Sequence, residues 1–247
     1  MAGHSKWANI KHRKGAQDKR RAKVFTRIIK DVMVAVKEGG PDPAANPRLR
    51  LCVQNAKGAN IPKDTVQRAI AKASGKDADN YIETTYEAYG PHGIAIFLEC
   101  TTDNINRTVQ DIRAALNKHG GSLGTNGSLS FIFERLGVFT IPKDNLNEDD
   151  FTMEMIDANA RDVVLEDGMF TVYVPFESFG EMQRKLENMD IELENASLQR
   201  IAKENTALDL EAAKKVMKLI DALEDVGDVQ QVYHNLELTE ELVNQLD

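Results

Sequence analysis

Only two cysteines, Cys52 and Cys100, occur in 247 residues, in different segments and without Cys-x-x-Cys spacing. That excludes a disulfide framework and a zinc knuckle, and fits a reducing compartment. No apolar run approaches the length of a bilayer span, and the first residues lack the hydrophobic stretch of a signal peptide. A cytoplasmic protein with no membrane partner is therefore expected. Fixed-period repeats and low-complexity tracts are missing too. Histidine is sparse: His4, His12, His92, His119 and His234 fall in different segments, none at a nucleophile–base spacing. His92 lies in a Gly-Pro-His-Gly turn, where an exposed turn residue is the simpler role than a base. No enzyme, metal site or cofactor is expected from such a set.

What the chain does have is charge, unevenly placed. Its formal net charge is −8, which taken alone argues against a nucleic-acid partner. Residues 1–80, however, carry 18 Lys and Arg against 7 Asp and Glu, a net of +11, and the remaining 13 bases and 32 acids leave −19 on 81–247. The positive charge peaks in GHSKWANIKHRKGAQDKRRAK, with Lys6, Lys11, Arg13, Lys14, Lys19, Arg20, Arg21 and Lys23 against the single acid Asp18. Trp7 and His12 lie among these cations, and Arg27 and Lys30 continue the series into the next helix. Cations neutralise phosphates and release condensed counterions, while an indole can stack on an unpaired base. The run thus predicts a nucleic-acid contact made by these residues; the plainer alternative is a solvated, solubilising tail. For Trp7 the alternative is burial against the helical domain.

Beyond the basic run, Val24, Phe25, Ile28, Ile29, Val32, Met33 and Val36 recur at helical spacing until Gly39-Gly40-Pro41. A second helix is capped by Asn46 with Pro47 in its first turn, and a third runs from Pro62 to Gly75. Their small apolar content predicts a thin helical domain, 1–80, mobile relative to the rest of the chain. Strands are expected at 84–89 and 94–100, a helix over 105–116 capped by Thr102 and Asp103, and a third strand at 128–133. From Gly137 the order strand, helix, strand, strand, helix, strand matches a ferredoxin-like split βαβ unit, with Asp167-Gly168 as a hairpin turn. The helix 209–224 and strand 229–235 complete the earlier unit. The expected fold class is α+β: an N-terminal three-helix domain, then two α+β domains, the third (137–204) inserted in the second (81–136 plus 205–247). Gly120-Gly121-Ser122-Leu123-Gly124-Thr125-Asn126-Gly127-Ser128 offers four glycines near hydroxyls, but lacks P-loop order and reads as a flexible connection rather than a phosphate cradle.

Three long blocks, GHSKWANIKHRKGAQDKRRAKVF, YEAYGPHGIAIFLECTTDNINRT and GGSLGTNGSLSFIFE, closely resemble the signature stretches of the YebC/PmpR family. The resemblance covers essentially the whole chain. It implies three domains with the third inserted in the second, and a DNA-binding transcriptional regulator. Other members look like translation factors that meet ribosomal or transfer RNA and relieve stalling at proline-rich stretches. The residues it carries over are the basic ones and Trp7 of the opening block. The partners so implied are DNA or ribosomal and transfer RNA, with RNA polymerase or the ribosome as the surrounding assembly.

Overall fold

The computed structural model describes residues 17–75, 80–239 and 242. In chain order the elements are α1 (Gln17–Gly39), α2 (Pro47–Gly58), α3 (Lys63–Ala73), β1 (Ile82–Tyr89), β2 (Ala95–Thr102), α4 (Ile105–Lys118), β3 (Ser122–Leu123) and β4 (Phe133–Pro142). Then come α5 (Glu148–Asp157), β5 (Asp162–Glu166), β6 (Met169–Pro175), α6 (Phe179–Asn188), β7 (Asn195–Ala202), α7 (Leu210–Glu224) and β8 (Val229–His234). Two compact units result: residues 80–134 with 201–239, and residues 22–75 with 135–200. The fold is α+β, three helices followed by two antiparallel sheets with their helices, and the second sheet is built from a segment inserted in the first unit. Among the described residues no helix is long and apolar enough to cross a membrane.

In the first unit the strand order is β3-β1-β2-β8. β1 and β2 pair antiparallel from Ile82↔Thr102 to Tyr89↔Ala95. Their connection is tight because His92 adopts φ 60° and Gly93 φ 76°, and His92 is exposed there. One face of the sheet, with Ile96, Leu98 and Cys100, packs under Ile112 and Leu116 of α4 and Val216, Leu219, Ile220 and Leu223 of α7. The spacing of the α7 residues puts them on one stripe, which is why that helix lies flat on the sheet. The other face holds a smaller cluster of Ala95, Phe97, Leu129, Phe133, Ala202 and Tyr233.

Two local expectations fail here, both for tertiary reasons. Residues 128–132 form turns rather than a strand, because the buried Glu87 carboxylate captures their amides. The cap of α4 is Asn104, whose side chain accepts from Arg107 N at 3.1 Å. Thr102, expected to cap, turns instead to buried Asp228, donating to its Oδ2 at 3.0 Å. Thr108 Oγ1 lies 2.9 Å from the same oxygen and Arg107 Nη2 donates to it at 2.7 Å. Asp228, with Asp103, raises the pKa of the Arg107 guanidinium above its ordinary value. The cluster ties the start of α4 to the turn before β8. Asp228→Ala would leave the fully buried Thr102 and Thr108 hydroxyls without this acceptor. We expect a loss of about 2–4 kcal/mol in urea unfolding; a midpoint equal to wild type would refute this role.

The second unit joins the helices to the ferredoxin-like sheet β5-β6-β4-β7. β5 and β6 meet at Glu166↔Met169, and their two-residue turn has φ 54° at Asp167 and 77° at Gly168, the positive pair a tight hairpin demands. Phe139, Ile141, Phe151, Phe170, Val172, Met182 and Leu186 fill the core between sheet and helices. Asn46 performs the capping expected of it, accepting from Leu49 N at 3.0 Å, and its Nδ2 also donates to Ala35 O at 2.7 Å and Gly40 O at 2.9 Å. One side chain thereby fixes the angle between α1 and α2.

Where composition predicts only a mobile helical segment, α2 packs on the inserted one. Asn55 exchanges two hydrogen bonds with the backbone of Ala196 in β7, its Nδ2 donating at 2.8 Å and its Oδ1 accepting at 2.9 Å. In effect Asn55 continues the sheet's own pairing with a side chain. Leu51 rests against the inserted core, and Gly58 brings the end of α2 against the backbone of Glu194.

Candidate nucleic-acid interface

Of the residues expected to contact nucleic acid, Lys6, Trp7, Lys11, His12, Arg13 and Lys14 lie outside the described residues. Lys19 and Arg20 fall in the first turns of α1, with side chains outside what is described. Arg21 and Lys23 are exposed, and Arg27 and Lys30 are half-buried. All four of these make interactions within the chain.

Helical geometry brings several of them into register. Lys19, Lys23, Arg27 and Lys30 stand at i, i+4, i+8 and i+11, with Arg20 beside them, so their Cα–Cβ bonds share one side of α1. At about 1.5 Å per residue this basic stripe extends for roughly 16 Å, long enough for several consecutive phosphates. Further along α1, Val32 to Val36 are buried all round, which holds the helix as a rigid rod behind the stripe.

The remaining cations of the helical segment are committed to the fold. Arg48 pairs with Glu38 at 2.5 Å, and Arg50 donates to Pro43 O and Ala44 O at 3.2 and 3.1 Å. Lys57 pairs with Glu192 at 2.5 Å, which holds that carboxyl below its ordinary pKa. Arg68 donates to Asp64 O at 3.2 Å within α3, beside a shallow depression lined by Gln67 and Ala71. Charge counting gives all of these the same standing as Lys23 or Arg27; geometry separates them. Among the described residues no group of His, Cys, Asp and Glu could hold a metal ion, and both cysteines are buried thiols.

Sequence reasoning passed over one further feature. Glu87 on β1 is 4% exposed, and its carboxylate accepts from Gly127 N at 2.7 Å, Leu129 N at 2.5 Å and Ser128 Oγ at 3.1 Å. Its backbone oxygen takes Gly124 N at 2.7 Å. The glycine-rich stretch is thus wrapped around a buried anion that belongs to the protein, and its amides are used inward. The available signal was a lone acid among apolar neighbours in Tyr86-Glu87-Ala88.

Similarity to known proteins follows the same architecture. Residues 5–76 match the family model described as the TACO1/YebC protein N-terminal domain, and residues 81–236 that of the TACO1/YebC second and third domain. A probable transcriptional regulatory protein of Amoebophilus asiaticus is 51% identical over 239 residues, 96% of this chain and 98% of its own. The probable transcriptional regulatory protein YebC of Salmonella arizonae is 46% identical over 249 residues, covering both chains completely. A crystal structure of a conserved hypothetical protein from Aquifex aeolicus superposes with a TM-score of 0.86 at 38% identity, over 96% of this chain and 98% of that one. With both models matched in order and relatives aligned end to end, the chain belongs to the TACO1/YebC family.

Proposed function

We propose that this chain is a non-enzymatic regulator of gene expression that acts by binding nucleic acid. Lys6, Lys11, Arg13, Lys14, Lys19, Arg20, Arg21, Lys23, Arg27 and Lys30 meet phosphates, and Trp7 and His12 meet bases or sugars. The observation that carries this reading is the run of cations ahead of α1 and its continuation along one side of that helix, within a chain that is otherwise acidic. The name borne by the relatives, probable transcriptional regulatory protein, supports DNA as the target. The −19 carried by residues 81–247 is repelled by phosphate and leaves those surfaces to a protein such as polymerase or a second regulator.

One observation favours a second reading, a translation factor on ribosomal or transfer RNA. The basic side of α1 carries Lys and Arg without Asn or Gln, a chemistry of backbone and shape contacts rather than base reading in a groove. Crosslinking the protein in growing cells separates the two. Promoter DNA among the recovered fragments is the expected result; recovery of ribosomal RNA alone would replace the first reading by the second, and recovery of neither would end both.

A further inference from the structure

Residues 120–133, GGSLGTNGSLSFIF, form fourteen consecutive positions without a charge in a chain that is 28% charged. The segment is held firmly. Besides the three bonds to the Glu87 carboxylate, Ser128 N donates to Thr125 O, Ile132 N to Leu129 O, and Lys203 N to Ile132 O at 3.0 Å. Leu129 is fully buried, and Phe133 packs edge-on against Phe97 with centroids 6.1 Å apart. Between these two anchors Phe131 is 69% exposed, the most exposed of the large apolar side chains. A loop so constrained presents its ring in a fixed place, and no rearrangement of the loop is needed to offer it.

The surroundings define the occupant. Thr125, Asn126 and Ser130 are exposed polar neighbours in the same loop, and Lys203, tied by its backbone to Ile132, is exposed as well. The acids nearest in sequence are Glu134 and Glu204, at the far sides of Ile132 and Lys203, while the Glu87 carboxylate is turned inward. An apolar protein pocket would be matched by an apolar rim. A single fixed ring with hydroxyls, an amide and one ammonium around it suits an unpaired base and its phosphate. We infer that Phe131 is a stacking platform for one unpaired base of a single-stranded nucleic-acid segment, with Lys203 at the adjoining phosphate. This site rests on the nucleic-acid reading above but lies in the acidic part of the chain, outside the basic run.

Binding of the full chain to fluorescein-labelled oligouridylate and to a duplex of equal length, followed across a salt series, tests the assignment. Phe131→Ala should weaken single-strand binding roughly 5- to 100-fold, with its salt slope and the duplex affinity unchanged, because stacking releases no counterions. Phe131→Trp should restore it, and both variants should melt like wild type. Unchanged oligouridylate binding in Phe131→Ala, while Ala at Lys11, Arg13 and Lys14 weakens it, would overturn the platform and leave the wider reading standing. Loss of a copurifying protein from Phe131→Ala without loss of oligouridylate would assign the ring to a protein pocket and equally overturn it. Indifference to both sets of substitutions, or no binding by wild type, would overturn platform and wider reading together.

Discussion

Gly58→Ala should destabilise the protein by about 3–5 kcal/mol in urea unfolding, more than most single methyl additions. A Cβ built on Gly58 falls 1.9 Å from Glu194 O and 2.7 Å from Glu194 C, and these are backbone atoms that no rotamer change can move. Relief requires α2 to back away from the residues that lead into β7. That withdrawal would stretch both Asn55 bonds to Ala196 and lift Leu51 from the inserted core. Lys57–Glu192 would part as well, at little cost, since both side chains are largely in water. Gly180 in α6 provides the control: nothing lies within 4 Å of its added Cβ, and alanine there should stabilise by up to roughly 1 kcal/mol. Equal midpoints for Gly58→Ala and wild type would mean that α2 does not dock as described.

The same contact shows where reading the sequence stops. Asn46-Pro47, Asp167-Gly168 and the apolar stripes of α4 and α7 act within a few residues of themselves, so pattern and turn chemistry reveal them. Asn55 looks like any polar residue on a helix surface; its partner is 141 positions away. Ser128 to Phe133 alternates polar and apolar as a strand does, yet a carboxylate some forty positions earlier captures two of its amides and folds it into turns. Phe131 is hidden inside that alternation, since nothing local distinguishes it from buried Leu129 and Phe133. Charge is legible because it needs no partner to be counted, and for the same reason counting cannot tell Lys57, spent on Glu192, from Lys23. An incomplete run of strands and helices, such as that between residues 81 and 136, announces in the sequence the elements it lacks.

Replacing Lys11, Arg13, Lys14, Arg20 and Arg21 together by alanine should have the largest effect of all, and on binding rather than stability. Each phosphate contact contributes about 0.7 to 0.9 to the slope of log affinity against log salt, so five lost contacts flatten it by roughly 3.5 to 4.5. If the non-ionic part of binding is kept, affinity at 0.1 M salt drops by about four orders of magnitude and the two curves converge near 1 M. The substitutions change residues 1–80 from +11 to +6, so a general loss of attraction must be separated from lost contacts. Lys57→Ala does this. It removes one positive charge from the same helical segment, but one already paired with Glu192, and should leave the slope where it was. Under simple attraction by net charge, Lys57→Ala would cost a fifth of the fivefold variant's effect. Under contact by the basic run it costs almost nothing, and the slope, measured from 0.05 to 0.5 M salt on one nucleic acid, tells the two apart. A fivefold variant with the wild-type slope would move the interface away from the basic run altogether, leaving only the stripe from Lys23 to Lys30 and the loop at Phe131 to hold the nucleic acid.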